Sequence, residues 1–298
     1  MGINEFAQKI CKAVGKELGE GYRVELKQVR KNNGVVLHGL VILSGIQNVA
    51  PTIYLDAFLE AYEAGTSFAA LIRRLLAIYG EDAPKDSIDM EFFRCYDKVQ
   101  DRICYRLVSW KKNEELLRDV PHIAFLDLAI CFYYAYQGDV LGQGMILVHN
   151  SHMEMWKAST AQLYEAAKRN TQRLYPWVCS TLEEVLDEIM ESGKTEMPES
   201  GQEFPLKVLS NEKRIFGATC LLYPGVLDKL AERGLGCFYI LPSSVHEVIL
   251  LGEGSVEDAW ELKKMIVEIN GTQVAPEEVL SDSLYRYDPR EGKVKIIF

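Results

Sequence analysis

Asn33-Gly34, set between the apolar runs 22–29 and 35–43, is the feature that most constrains how this chain can fold. Both residues accept positive φ, so an Asn-Gly pair between strand-like runs turns the chain back on itself as a β-hairpin. The residues before it read as a helix. Phe6, Ile10, Val14 and Leu18 recur at about helical spacing within 3–19, while Lys9, Lys12, Lys16 and Glu17 take other positions. Helical stretches follow at 56–63 and 67–79, and a third helix is expected around 88–96. Helices beside hairpin-linked strands predict an α+β fold, with largely antiparallel sheets and flanking helices.

Further along, 103–110 alternates as a strand, and 125–136 is a long apolar run carrying one acid, Asp127, placed at the start of a buried strand. A turn is expected at 137–139 and a returning strand at 144–148. Ser159 with Gln162, and Ser180 with Glu183, have capping-box spacing, and each should open a helix. The second helix would carry the stripe Leu182, Val185, Leu186, Ile189 and Met190. Residues 191–203 are polar, with two Gly and one Pro, and read as a linker. Beyond them, strands are expected at 206–209, 217–223, 237–241 and 245–251, helices at 225–233 and 256–269, and a closing strand pair at 285–287 and 293–298. The expected organisation is an N-terminal α+β domain over 1–190, the linker 191–203 and a C-terminal α+β domain over 204–298.

The chain's 298 residues are 48% hydrophobic and 26% charged, a globular profile able to bury a sizeable core. No apolar run reaches the roughly 18 residues of a membrane span, so no membrane partner is expected. The N-terminus lacks the layout of a signal peptide. Seven widely spaced cysteines, without a Cys-x-x-Cys, argue for reduced thiols in a cytoplasmic protein. Of the formal charge of −10, residues 181–203 carry −7. They read as a solvated helix and linker; the alternative is an acidic segment that docks a basic partner. Neither reading gives the basic face that nucleic-acid binding needs.

Leu241-Pro242-Ser243-Ser244-Val245-His246-Glu247 places a polar knot between two apolar runs. A buried run tolerates so many polar residues only when they pair or face water. Ser243, Ser244, His246 and Glu247 include the residue types of nucleophile, base and orienter. On a strand, however, Ser244 and His246 would share a face that Glu247 leaves, which does not suit a triad. No Gly-x-Ser-x-Gly elbow occurs. His149, His152 and Glu154 offer two imidazoles and a carboxylate, but without the His-Glu-x-x-His spacing; they are weak metal candidates, and a polar strand-to-helix junction is the preferred reading. His38, alone in an apolar strand, reads as a satisfied core or edge residue. No phosphate-cradling glycine loop is present, and no cofactor is expected.

Four stretches together resemble an uncharacterised family of Firmicutes, typically gut Clostridia: 119–129, 211–224, the 241–247 knot, and 270–287 with Leu280-Ser281-Asp282. The resemblance is to DUF5688-like proteins and, more distantly, to YtpQ-like proteins of Gram-positive bacteria, where the similarity extends to Pro242 and Glu247. It implies a source and a compartment but no chemistry. The leading expectation is therefore a non-enzymatic cytoplasmic binding or regulatory protein with a protein or small-molecule partner. Its expected recognition surface is Ser243, Ser244, His246 and Glu247 with Asp127 and Asp282. The competing expectation is a hydrolase using Ser244 or His246 with an acid such as Asp127 or Asp282.

Overall fold

The structure is a computed structural model and describes residues 1–45, 50–82, 90–138, 142–181, 184 and 206–298. The chain forms two compact units that do not follow chain order. The first contains Met1–Phe92 and Tyr136–Gly144, the second Phe93–Ala135 and Met145–Phe298. The whole 191–203 linker, the stripe Leu182, Val185, Leu186, Ile189 and Met190, and all of the acidic segment except Thr181 and Glu184 lie outside the described residues.

In the first unit, helix α1 (Ile3–Leu18) buries Phe6, Ala7, Ile10 and Val14 and ends where Gly19 takes φ 75°. Strands β1 (Tyr22–Arg30), β2 (Val36–Ser44) and β3 (Thr52–Tyr54) make an antiparallel sheet in that order. The β1–β2 hairpin turns at Asn33 (φ 59°) and Gly34 (φ 71°), as the Asn-Gly pair predicts. Helices α2 (Asp56–Glu63) and α3 (Phe68–Asp82) complete a core of Phe6, Ile10, Leu40, Ile42, Leu55, Leu71 and Leu75. Each such side chain contributes roughly 1.5–3 kcal/mol on burial. His38 is satisfied: its N–H donates to Asp56 Oδ2 at 2.8 Å, and its Nδ1 lies 3.3 Å from Oδ1.

Two further antiparallel sheets belong to the second unit, apart from the ends of β6 and β7 within Tyr136–Gly144. Strands β4 (Ile103–Ser109), β5 (His122–Phe125), β6 (Leu128–Gly138) and β7 (Gly142–Leu147) form one, with β6 pairing β4, β5 and β7. The helix Thr160–Leu174 opens on the expected Ser159–Gln162 capping box and packs on β4. Its Asn170 Nδ2 donates to the Ile103 carbonyl at 2.9 Å, and its Thr171 Oγ1 accepts the Tyr105 N–H at 3.2 Å. Strands β8 (Trp177–Thr181), β9 (Lys207–Asn211), β10 (Phe238–Leu241), β11 (Val248–Gly252), β12 (Tyr285–Asp288) and β13 (Lys293–Ile296) form the other, in the order β13-β12-β10-β11-β9-β8. β8 precedes the acidic segment and β9 follows it, yet the two pair from Trp177↔Asn211 to Thr181↔Lys207. The helix Ala259–Thr272 starts at the Asp258 cap and packs Leu262 and Ile266 against Leu241, Leu251 and Leu284.

Five expectations need correction. The run 125–136 is not one strand: it breaks at Leu126-Asp127, the two-residue turn of the β5–β6 hairpin. Leu126 adopts φ 55°, a conformation that Leu seldom takes, so no turn signature announces the break. Residues Gly217–Leu222 form a 3-10 turn instead of a strand. A short apolar run buried on all sides has no periodicity to separate the two. Residues 242–247 are an irregular connection, and β11 begins only at Val248. The second capping box is shifted by one, to the last residue of β8: Thr181 N–H donates to Glu184 Oε2 at 2.8 Å, and Glu184 N–H to Thr181 Oγ1 at 3.2 Å. Between Glu91 and Val99 there are only short turns, Glu91–Arg94 and Tyr96–Val99.

Candidate functional site

The polar knot connects β10 to β11 and draws three chain segments together. Ser243 and Ser244 are each only 7% exposed. The backbone does most of the joining: Leu280 N–H donates to the Ser243 carbonyl at 3.0 Å, Ser281 N–H to the Pro242 carbonyl at 3.0 Å, and Val245 N–H to the Glu278 carbonyl at 2.9 Å. On the other side, Ala218 N–H donates to the Val245 carbonyl at 3.3 Å, and Ser210 Oγ to the His246 carbonyl at 2.7 Å. Segments 210–218 and 278–281 are thus laced to the knot. Gly217 makes the closest approach. A Cβ there would fall inside 3.0 Å of Ser210 Oγ, the His246 carbonyl oxygen and the Asn211 nitrogen, so only glycine fits.

Asn211 shapes the loop that leads into Gly217. Its Oδ1 accepts the N–H groups of Lys213 at 3.1 Å and Ile215 at 3.3 Å, and its Nδ2 donates to the Ile215 carbonyl at 2.7 Å. The loop ends at Phe216, with φ 51°. There the Phe216 N–H meets His246 Nδ1 at 3.3 Å, and the two rings stack 5.8 Å apart at 8°. A ring nitrogen that accepts a backbone N–H is unprotonated, which places the proton of a neutral His246 on Nε2. Nε2 lies 3.5 Å from Glu278 Oε1.

This geometry bears directly on the catalytic candidates. Both His246 nitrogens are engaged, by Phe216 and by Glu278. Ser244 Oγ accepts the His246 N–H at 3.0 Å, so the hydroxyl is turned to the main chain of His246. The carboxylate at the imidazole is Glu278, a residue that sequence reasoning did not single out. Glu247, partly exposed, and Asp282, exposed, sit elsewhere. Asp282 Oδ1 accepts from Asn270 Nδ2 at 2.7 Å, and its carbonyl accepts from Lys263.

Asp127 anchors a second set of hydroxyls. Its Oδ2 accepts from Ser281 at 2.6 Å and from Ser283 at 2.9 Å, and its Oδ1 accepts from Tyr285. Burial, then the Asp127 charge, push the Tyr285 phenol far above its usual range, so Tyr285 stays a donor. Because Ser281 is also bonded to Pro242, the knot, Asp127 and 281–285 form one connected network.

A cleft of about 330 Å³ opens beside that network, lined among others by Phe125, Tyr223, Leu227, Asp228, Tyr287 and Lys293. Phe125 ends β5 two residues before Asp127, and Tyr287 follows Tyr285 by two on the same face of β12. The polar network therefore fixes two of the cleft's walls. Within the cleft, the Tyr287 hydroxyl donates to Asp228, and burial, then that hydrogen bond, push its phenol up to about 12.

Of the metal candidates, the two histidines are bonded to other groups. His149 Nδ1 pairs with Asp119 Oδ2 at 2.7 Å, His152 Nδ1 accepts the His149 N–H at 3.1 Å, and Glu154 is exposed. Burial, then His149, lower the His152 pKa. Among the described residues no group of three His, Cys, Asp or Glu is arranged to hold a metal ion.

The sequence profile of a family of unknown function, DUF5688, matches residues 3–289, nearly the whole chain. The chain belongs to that family. The knot, the Asp127 turn and β12 fall inside the matched region, whereas the cleft residues Gly292, Lys293 and Val294 lie beyond it. No curated protein and no solved structure matches the chain. Sequence reasoning missed Phe216, Gly217 and Glu278, which act through a loop and a tertiary contact. It also missed Arg106, whose signal is plain in retrospect: a lone cation inside the strand Ile-Cys-Tyr-Arg-Leu-Val-Ser.

Proposed function

We propose that this DUF5688 protein is a non-enzymatic cytoplasmic binding or regulatory module of Firmicutes origin, and that its ligand is a small molecule held in the cleft between Phe125, Leu227 and Tyr287. The observation that carries this reading is the use to which the knot is put. Ser244 and His246 spend their hydrogen bonds on the protein itself, and the network they belong to fixes the walls of a cleft large enough for a small ligand. An apolar floor with a few convergent polar groups, here Asp228, Lys293 and the Tyr287 hydroxyl, is the ordinary make-up of such a site. The compartment is supported by seven cysteines present as free thiols. Burial pushes Cys104 and Cys220 up to about 12 and Cys131 up to about 11, which makes them inert packing residues. Among the described residues no helix is long and apolar enough to cross a membrane.

The test is a thermal-shift screen of a small-metabolite library on the full chain beside Val294→Trp, which fills the cleft from the partly exposed β13. At least one compound should raise the melting temperature of the wild type and leave Val294→Trp unmoved, with equal far-ultraviolet circular dichroism. A library that stabilises nothing, or a variant that responds like the wild type, refutes the assignment.

A further inference from the structure

Arg106 stands in the middle of β4, where every other residue is buried. Its register partner is Cys131, and it shares a sheet face with Cys104 and Tyr133. Its guanidinium lies 5.3 Å from the centre of the Phe216 ring. That ring is stacked with His246 and meets Tyr133 at 5.6 Å and 64°. Tyr133 in turn reaches Tyr175 at 6.5 Å, and Lys213 lies 5.1 Å from the Tyr175 ring centre. Two cations therefore rest on one connected group of aromatic rings.

Among the described residues, Arg106 has no anionic partner. Its Nε is enclosed and without a hydrogen-bond partner. The ionisable groups that act on it are Cys131 and Tyr133, neither a carboxylate, and burial lowers its pKa. Glu278, the carboxylate at the His246 imidazole, is paired with that ring. A cation withdrawn from water without a counter-charge is costly, and such groups are concentrated at sites whose partner arrives from outside. The residue as a whole is half-buried. A guanidinium also presents a planar fork of donors that matches two oxygens of one oxyanion.

We propose that Arg106 anchors an anion-binding site on the Phe216–Tyr133–Tyr175 aromatic group, and that the ligand presents a carboxylate or phosphate oxyanion to it. Arg106 takes the two oxygens, Lys213 adds a second positive charge, and the Phe216 ring gives the ligand a flat apolar wall. The site is distinct from the cleft assigned above: Arg106, Phe216 and Lys213 are not among the residues lining that cleft.

Isothermal titration of the full chain with inorganic phosphate and, separately, with acetate tests the assignment. The wild type should bind at least one of the two, and the arm that binds names the oxyanion. Arg106→Met should weaken that binding by about tenfold or more, the ordinary loss for a charge-assisted bidentate contact. In a buffer free of both anions, Arg106→Met should melt no lower than the wild type, since it removes an uncompensated charge and keeps the stem volume. Arg106→Lys, which retains the charge but not the fork, should keep the fold and bind several-fold more weakly. The proposal is overturned if the wild type binds neither anion, if Arg106→Met binds as the wild type does, or if Arg106→Lys unfolds the protein.

Discussion

The two units bury different things. In the first, the core is Phe6, Ile10, Leu40, Ile42, Leu55, Leu71 and Leu75, and the His38–Asp56 contact sits at its edge. In the second, Ser210, Asn211, Thr219, Ser243, Ser244, Asn270, Ser281 and Asp288 are buried as well, and every buried polar side chain among the described residues belongs to this unit. An apolar core tolerates adjustment, because its contacts are non-directional and each is small. A buried polar network does not, since each hydrogen bond has a direction and each unmade one costs the desolvation of its group. The second unit therefore holds its loops to fixed positions, and it is the unit that carries the cleft and the Arg106 site.

The sharpest way to break this contrast is one substitution made in both units. Gly217→Ala should cost about 3 kcal/mol or more, because the new methyl meets backbone and a bonded hydroxyl that cannot yield. Gly39→Ala in β2 meets chiefly the Thr52 methyl, which can turn away, and should cost about 1 kcal/mol. Urea denaturation followed by amide exchange checks both. Trp110, Trp156, Trp177 and Trp260 all lie in the second unit, so tryptophan fluorescence reports on that unit alone. Equal costs would remove the distinction between the two cores.

A second pair of substitutions probes the carboxylates. Asp127→Ala strips an acceptor from three hydroxyls, those of Ser281, Ser283 and Tyr285, and should cost about 3 kcal/mol. Asp56→Ala removes one backbone contact and one ring contact at His38, and should cost about 1 kcal/mol. If Asp127→Ala proves as mild as Asp56→Ala, the network does not hold the cleft walls.

The smallest expected effect is in acid. Hydrogen bonds from Arg290, then its charge and that of Arg286, hold the Asp288 carboxyl well below the usual carboxylate range. A folded-state pKa depressed in this way gives stability that is present above the unfolded value and lost as pH falls through the folded one. The gap in melting temperature between wild type and Asp288→Asn should therefore be constant down to about pH 4 and close below it. In the first unit, Glu5 is lowered by Lys9 through an exposed i,i+4 pair, so Glu5→Gln should move the melting temperature little at any pH.

How much was legible follows the same division. The α1 stripe, the Asn33-Gly34 hairpin and the next two helices, Asp56–Glu63 and Phe68–Asp82, could be read because each is announced by local periodicity or turn chemistry. The knot was legible as an anomaly, four polar residues in an apolar run, but not as an irregular connection. Its conformation is set by Gly217, Ser210 and the 278–281 segment, which lie far away in sequence. Asp127 was legible as the one acid in an apolar run, but its partners Ser281, Ser283 and Tyr285 lie far along the chain. Its place in a turn was hidden, because Leu126-Asp127 carries no glycine or asparagine signal.

By itself, then, the sequence determined the α+β class, the antiparallel hairpin, most helix positions and the family to which the chain belongs. These depend on patterns a few residues long or on the matched profile. Only the tertiary structure decided that β8 and β9 pair across the acidic segment, that His246 faces Phe216 and Glu278, and that Arg106 has no counter-charge among the described residues. Pairing partners and charge compensation are properties of distances between residues remote in the chain, and no local pattern encodes them.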